Sequence, residues 1–232
     1  MSIIVRKSNE RGHLNHGWLN TYHTFSFGEY YDLKHMGYRT LRVINEDIVQ
    51  GGYGFDMHPH KNMEIITYVI DGCLKHEDNM GNHAEIGPGN VQIMSAGSGV
   101  LHSETNPTRK NVHLIQIWII PNILNIKPRH EEAKFDRSQK LNKLCLIASH
   151  DENNYRINQD AKVFASILEK GNKIKYNIQK GRGLWIQLIS GSVTLNDEIK
   201  LEKGDGASIE AMNNVVIESH DDNSEFLLFD LA

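Results

Sequence analysis

Four residues in the stretch Gly51 to Glu104 have the types and spacing of a metal site: His58, His60, His102 and Glu104. One residue separates His58 from His60, and one separates His102 from Glu104. Alternate side chains of an extended chain point to the same face. Each pair therefore presents two ligands to one side of a strand, if its segment is extended. Three imidazoles and a carboxylate meeting in a small sheet-lined space would hold one divalent first-row metal and leave positions open for a substrate. The ordinary alternative for a lone buried histidine is a hydrogen-bonded core residue. Two such pairs with glycine-rich approaches argue against it, because desolvating four polar side chains is costly unless something compensates. His76, His83, His113 and His130 stand singly and are expected at turns or on the surface. His13, His16 and His23 share no i,i+2 or i,i+4 spacing and are expected to bond loop backbone.

The elements that must position these ligands are strands. The segments TLRVINE, EIITYVID, VQIMS and VHLIQIWII are β-branched and aromatic, with glycine turns at Gly72, Gly81, Gly87, Gly89, Gly97 and Gly99. Short strands with a turn every eight to twelve residues or so predict an all-β sandwich or barrel and exclude a βαβ fold. Residues 1–37 show no sustained period and predict irregular chain with one short strand around Thr24–Phe27. Residues 121–160 read as a connector, with a short helix around Glu131–Phe135 and a turn at 150–154. Strands resume at Ala161, and Gly171, Gly181, Gly183, Gly191 and Gly204 give the second half the rhythm of the first, as a duplicated domain would.

At 232 residues the chain has room for one large domain or two smaller ones. Its 39% hydrophobic and 23% charged content is that of a soluble globular protein. A net charge of −4 with no basic run disfavours direct nucleic-acid binding. No apolar run reaches bilayer length, and the N-terminus lacks a signal-peptide core. Cys73 and Cys145 indicate neither a disulfide framework nor a cysteine zinc site. The expected compartment is the cytoplasm. The 13 histidines, concentrated in the first half, depart from the average.

Read as motifs, the ligand segments are Gly52-x5-His58-Pro59-His60-x3-Glu64 with Gly72 beyond, and Gly97-Ser98-Gly99-x2-His102-Ser103-Glu104-Thr105-Asn106. They resemble the two cupin motifs, G(x)5HxH(x)3–4E(x)6G and G(x)5PxG(x)2H(x)3N. Glu64 sits one residue early relative to Gly72, Gly97 stands where the second motif has proline, and Glu104 is an added carboxylate. With HPHKNMEIITYVIDG, IMSAGSGVLHSE, RGHLNHGW and HTFSF, the resemblance narrows to the pirin family, particularly its bacterial members, over nearly the whole chain.

The resemblance implies an all-β bicupin of two tandem jelly-roll-type barrels. Residues 1–125 would form the metal-binding domain and 126–232 a degenerate domain without a metal site. It places the metal on His58, His60, His102 and Glu104, and leaves Glu64 either to orient a metal-bound histidine, as carboxylates near metal sites do, or to pair with a nearby Lys or Arg. Aligning Gly191 on Gly72 sets Asn177 and Gln179 against His58 and His60. Aligning the last strand sets Val215 and Ile217 against His102 and Glu104. The expected cofactor is one divalent first-row metal, iron placed first, with Ni, Co, Mn, Cu and Zn as alternatives. The implied function is that of a quercetin 2,3-dioxygenase, opening a flavonol or related enolic molecule with O2 and releasing CO, with Glu104 as proton acceptor. The rival is a metal-binding regulator that docks onto a protein partner such as a transcription factor. Expected partners are a small-molecule substrate and O2, with no nucleic acid, no membrane and a monomeric chain.

Overall fold

The computed structural model describes residues 2–151 and 155–232, so 152–154 of the turn expected at 150–154 lie outside the described residues. The strands in chain order are β1 (Ser2–Arg6), β2 (Gly12–Asn15), β3 (Leu19–His23), β4 (Leu41–Val49), β5 (Gly54–His60), β6 (Glu64–Asp71), β7 (Leu74–Asp78), β8 (His83–Ile86), β9 (Asn90–Ser95), β10 (Val100–Thr105), β11 (Val112–Ile119) and β12 (Arg129–Lys134). After the single α-helical turn α1 (Arg137–Lys140) come β13 (Cys145–Ser149), β14 (Ala161–Leu168), β15 (Lys173–Asn177), β16 (Gly183–Ser190) and β17 (Ser192–Leu195). The chain ends with β18 (Ile199–Glu202), β19 (Gly206–Glu210), β20 (Asn214–Ser219) and β21 (Ser224–Leu231).

The described chain divides into two units, one of residues 12–135 with 150–151 and 155–159, the other of 2–11, 136–149 and 160–232. A division at residue 125 thus differs from the observed one at both ends. β1 pairs with β19 along its whole length, Ser2 opposite Glu210 through Arg6 opposite Gly206, and so belongs to the later unit. β12 pairs residue for residue with β9, Arg129 opposite Ser95 through Lys134 opposite Asn90, and so belongs to the earlier one. That pairing overrides the helical propensity of RHEEAK, where a helix was expected, and Ala133 and Phe135 are buried by it. The early strand also lies elsewhere than Thr24–Phe27: β2 and β3 form a hairpin before it, and β3 extends the sheet from β4.

Each unit is a pair of sheets, and the two repeat one another except that the large sheet of the earlier unit has one strand more. The earlier has a seven-stranded sheet in the order β12-β9-β6-β11-β4-β3-β2 and a four-stranded sheet β5-β10-β7-β8. The later has β1-β19-β16-β21-β14-β13 and β15-β20-β17-β18. Gly72 and Gly191 sit at corresponding turns with φ of 84° and 76°, a conformation in which glycine carries no steric cost.

In the earlier unit the register of the large sheet lines up one polar side chain per strand. His23 lies opposite Asn45, Asn45 opposite Gln116, Gln116 opposite Thr67, Thr67 opposite Gln92, and Gln92 opposite Glu132. Directly opposed residues share a face, so these side chains form a continuous row. Beyond the row the same face turns apolar on β6 and β11 in both directions and on β9 at Met94, while β4 keeps Asp47 two residues from Asn45. Ile65 and Met94 join Ala96 and Val100 on one side, while Val69, Leu114 and Val49 join Leu19 and Leu74 on the other. The polar row is therefore a belt between two apolar clusters.

The corresponding row of the later unit is Phe164, Leu228, Ile186 and Ala207. It belongs to one continuous apolar core with Leu195, Val215 and Ile217.

Candidate metal centre

The small sheet of the earlier unit carries the histidines. β10 runs antiparallel to β5 with His102 directly opposite His58 and Val100 opposite His60. A bulge then shifts the register, so that Glu104 faces Phe55. Such a bulge re-aims side chains beside a site. On its other edge β10 pairs with β7, placing His102 opposite Asp78 and Glu104 opposite His76. Alternation along β10 sends His102 and Glu104 to one face, and both are buried.

The potential ligand atoms of His58, His60 and His102 lie within 4.8 Å of one another. Those of His76, His102 and Glu104 form a second such group, joined to the first through His102. Nε2 of His58 and Nε2 of His102 are 3.0 Å apart. Two nitrogens held at right angles about 2.1 Å from one cation would be ~3.0 Å apart. His58 Nδ1 is 2.7 Å from the Asp56 carbonyl oxygen, which accepts its proton and leaves Nε2 a bare lone pair. His60 Nε2 is buried without a hydrogen-bond partner. Burial, then His58, pushes His60 down to about 4, and burial with the neighbouring imidazoles pushes His102 far down as well. Converging imidazoles, of which His60 and His102 are held below their usual range, fit a borderline divalent cation.

Behind His102 stands a relay that was not expected. His76 is fully buried, with Nδ1 3.4 Å from His102 Nδ1 and Nε2 3.3 Å from Asp78 Oδ2. Burial works to raise Asp78, but hydrogen bonds from Asn82, His76 and Met80 outweigh it and hold the carboxyl below its usual range. An ionised Asp78 takes the His76 Nε2 proton, so His76 Nδ1 accepts from His102 Nδ1–H and His102 Nε2 is left bare. His130 stacks on His76 with ring centroids 4.4 Å apart. The expectation that His76 and His130 lie singly at turns or on the surface is therefore incorrect. His76-x-Asp78 is itself an i,i+2 pair, and this was the available signal. His130 was hidden because its strand was read as a connector.

Glu104 is held from the polar belt. Gln116 Nε2 donates to its Oε2 at 3.0 Å and Gln92 Nε2 to its Oε1 at 3.2 Å. Thr67 Oγ1 lies 3.1 Å from Glu104 Oε1 and 2.6 Å from Gln116 Oε1, so one hydroxyl proton serves two acceptors. His130 Nε2 is 3.3 Å from Gln92 Oε1, which links the belt back to the relay. Burial pushes the Glu104 carboxyl above its usual range, against the pull of His76, Thr67, His58 and Gln92. The sequence signal for this set is a single polar residue inside each otherwise apolar strand: Thr67 in EIITYVID, Gln92 in NVQIMS, Gln116 in VHLIQIWI.

The remaining polar residues lie apart from this centre. Glu64 is buried and accepts from Ser95 Oγ at 2.7 Å and Asn158 Nδ2 at 3.2 Å; among the described residues its hydrogen-bond partners include no metal-site histidine. His13 bonds the Asn20 side chain and stacks on Tyr22, and His23 Nε2 lies 3.1 Å from Thr21 Oγ1. His113 pairs with Glu46 at 3.0 Å.

In the later unit, Val215 lies opposite Tyr176 as His102 lies opposite His58. Tyr176 and Ile178 thus take the places of the first histidine pair, one residue short of the expected Asn177 and Gln179. The Tyr176 hydroxyl bonds Asp230, which Arg182 also holds.

A cavity of about 70 Å³ opens at the centre, lined by His58, His60, Glu104, Gln116, Trp118 and Phe55 among others. The comparisons with known proteins agree with this architecture. The pirin family model matches residues 4–119, and that of the quercetinase C-terminal cupin domain matches 146–231. Quercetin 2,3-dioxygenase of Escherichia coli K12 is 45% identical over 230 residues, 99% of this chain and 98% of that protein. A pirin-like protein of Caulobacter vibrioides is 37% identical over 99% of this chain and all of its own length. The crystal structure of the bacterial pirin YhhW of E. coli in complex with nickel(II) superposes with a TM-score of 0.93 at 43% identity, covering 99% of each chain. Sequence and fold agree along both barrels: the chain is a tandem cupin and belongs to the pirin family.

Proposed function

We propose that this protein is a metal-dependent dioxygenase that opens a flavonol such as quercetin, or a related enolic small molecule, with uptake of O2 and release of CO. The observation that carries the reading is the convergence of three imidazoles beside a buried carboxylate, at a polar belt between two apolar clusters. The 45% identity to the E. coli quercetin 2,3-dioxygenase supports the substrate class. His58, His60, His102 and Glu104 would hold one divalent first-row cation. When bound, that cation supplies the Lewis acidity that makes an enolic hydroxyl a stronger acid.

The protein's own groups supply the rest. Glu104 receives the enol proton at a carboxylate oxygen, and its burial gives it the basicity to keep it. Gln92 and Gln116 hold the carboxylate plane, so the accepting oxygen stays aimed at the cavity. Phe27, Phe55, Leu114 and Trp118 wall the cavity and keep water from the reacting enolate. The relay Asp78–His76 keeps His102 in the tautomer that presents Nε2.

The test is loss of quercetin's visible absorbance with purified protein loaded in turn with Fe, Ni, Co, Mn, Cu and Zn. Turnover with O2 that stops under nitrogen, and that Glu104→Gln and His102→Ala abolish, is the expected result. Equal consumption under nitrogen removes the dioxygenase reading. Absence of turnover with every metal leaves the docking regulator as the better account.

A further inference from the structure

The cavity at the metal centre is small. About 70 Å³ is well below the roughly 300–1,000 Å³ of ordinary small-molecule pockets. A bicyclic enol reaching the histidines must extend beyond it. Room for that extension lies in a neighbouring cavity of about 220 Å³. The two cavities share four wall residues, Phe27, Asn45, Asp47 and Phe55.

Those four residues make a defined chemical surface. Phe27 packs edge-on against Trp118 at 5.2 Å, and Phe55 edge-on against Trp18 at 5.3 Å, so both rings are held in place by neighbours. Leu14 and Leu19 extend the apolar wall. Against it stand two buried acceptors. Asn45 and Asp47 lie two residues apart on β4, on the face that carries the polar belt, and are 3% and 5% exposed. Asn45 Oδ1 and Asp47 Oδ1 have no hydrogen-bond partner within the protein. Buried acceptors are nearly always bonded, and two lone ones on the wall between two cavities call for donors from a ligand.

We propose that the 220 Å³ cavity seats the part of the substrate remote from the metal, and that Asn45 Oδ1 and Asp47 Oδ1 select an aromatic ring bearing hydroxyl donors. The inference rests on the flavonol reading for the orientation of the substrate, not for the existence of the acceptors. The opposite outcome, a ring without hydroxyls, would leave both acceptors desolvated and unpaired.

The experiment compares quercetin with 3-hydroxyflavone, which keeps the enolone and lacks the other hydroxyls. Binding to nickel-reconstituted protein is followed under nitrogen by quenching of tryptophan fluorescence, Trp118 being a wall of the site. Wild type is expected to bind quercetin at least about tenfold tighter, the effect of one buried hydrogen bond left unmade. Asn45→Leu and Asp47→Leu are expected to bring that preference below about threefold while 3-hydroxyflavone binds as before. Asp47→Asn, which keeps an acceptor, should retain most of the preference and guards against a folding defect. Equal wild-type affinities, no wild-type binding of either compound, or a preference that survives both leucine variants overturns the proposal. A binding preference that responds to the variants without any aerobic turnover supports the subsite and sinks the dioxygenase reading. Turnover with an unresponsive preference does the reverse.

Discussion

Replacing His76 by phenylalanine isolates the relay behind the metal site. The ring keeps its place against His130, but both nitrogens are lost. His102 Nδ1 then has no acceptor at 3.4 Å, and Asp78 Oδ2 loses one donor while keeping Asn82 Nδ2 at 2.8 Å. Leaving a buried N–H unpaired costs about 1–3 kcal/mol, so the metal-free variant should unfold at lower urea by that amount. Freed from the relay, His102 can place its proton on Nε2, the atom that faces His58. Loss of the group that orients a metal-bound imidazole weakens binding about 10–100-fold, or about 1.4–2.7 kcal/mol. Nickel(II) affinity is read by competition with a chromophoric chelator, and folding by circular dichroism. His83→Phe, an exposed histidine paired only with surface Glu77, is the control and should shift stability by no more than about 0.5 kcal/mol. A folded His76→Phe protein with wild-type nickel affinity would refute the tautomer argument.

Three further outcomes follow from the same geometry. Asp47 is raised to about 7, so the native state holds its proton more tightly than the unfolded chain does. Its contribution therefore favours folding below pH ~4 and fades as pH rises to ~7, by up to about 4 kcal/mol. In chelator-treated protein, urea midpoints at several pH values should show that slope in wild type and lose it in Asp47→Asn. Gly72→Ala and Gly81→Ala both place alanine at positive φ, but only at Gly72 would the new Cβ meet Asn111 O at 2.6 Å and Val112 Cα at 2.8 Å. Thermal melts should show Gly72→Ala less stable by at least about 1 kcal/mol more. Ile186→Thr puts the belt's hydroxyl into the later unit without its partners and should cost about 2–3 kcal/mol by denaturant unfolding; a neutral result would mean that core admits water.

The strand content and the duplicated rhythm were legible because β-branched runs between glycines leave few alternatives. His58, His60, His102 and Glu104 stood out because an i,i+2 pair needs only an extended chain to share a face. What surrounds them was not legible, since pairing partners are set by register between distant strands. Gln116, Thr67 and Gln92 become neighbours only when β11, β6 and β9 lie side by side. β12 shows the limit of local propensity: RHEEAK would favour a helix alone, and six paired positions on β9 decide otherwise. The one-residue error in aligning Tyr176 and Ile178 has a similar origin, because the connection from Ile178 to β16 is one residue longer than that from His60 to β6, which motif spacing does not reveal.

The pairing of β1 with β19 ties residues 2–6 to residues 206–210. During synthesis on the ribosome, residues 2–6 emerge well before the strand they pair with exists. A chain lacking β1 would leave β19 an open sheet edge, the kind of surface on which neighbouring nascent chains adhere. Expression of the second barrel alone, started after residue 125, would make that exposure permanent, and supplying the peptide of residues 2–11 in trans would be the way to restore solubility.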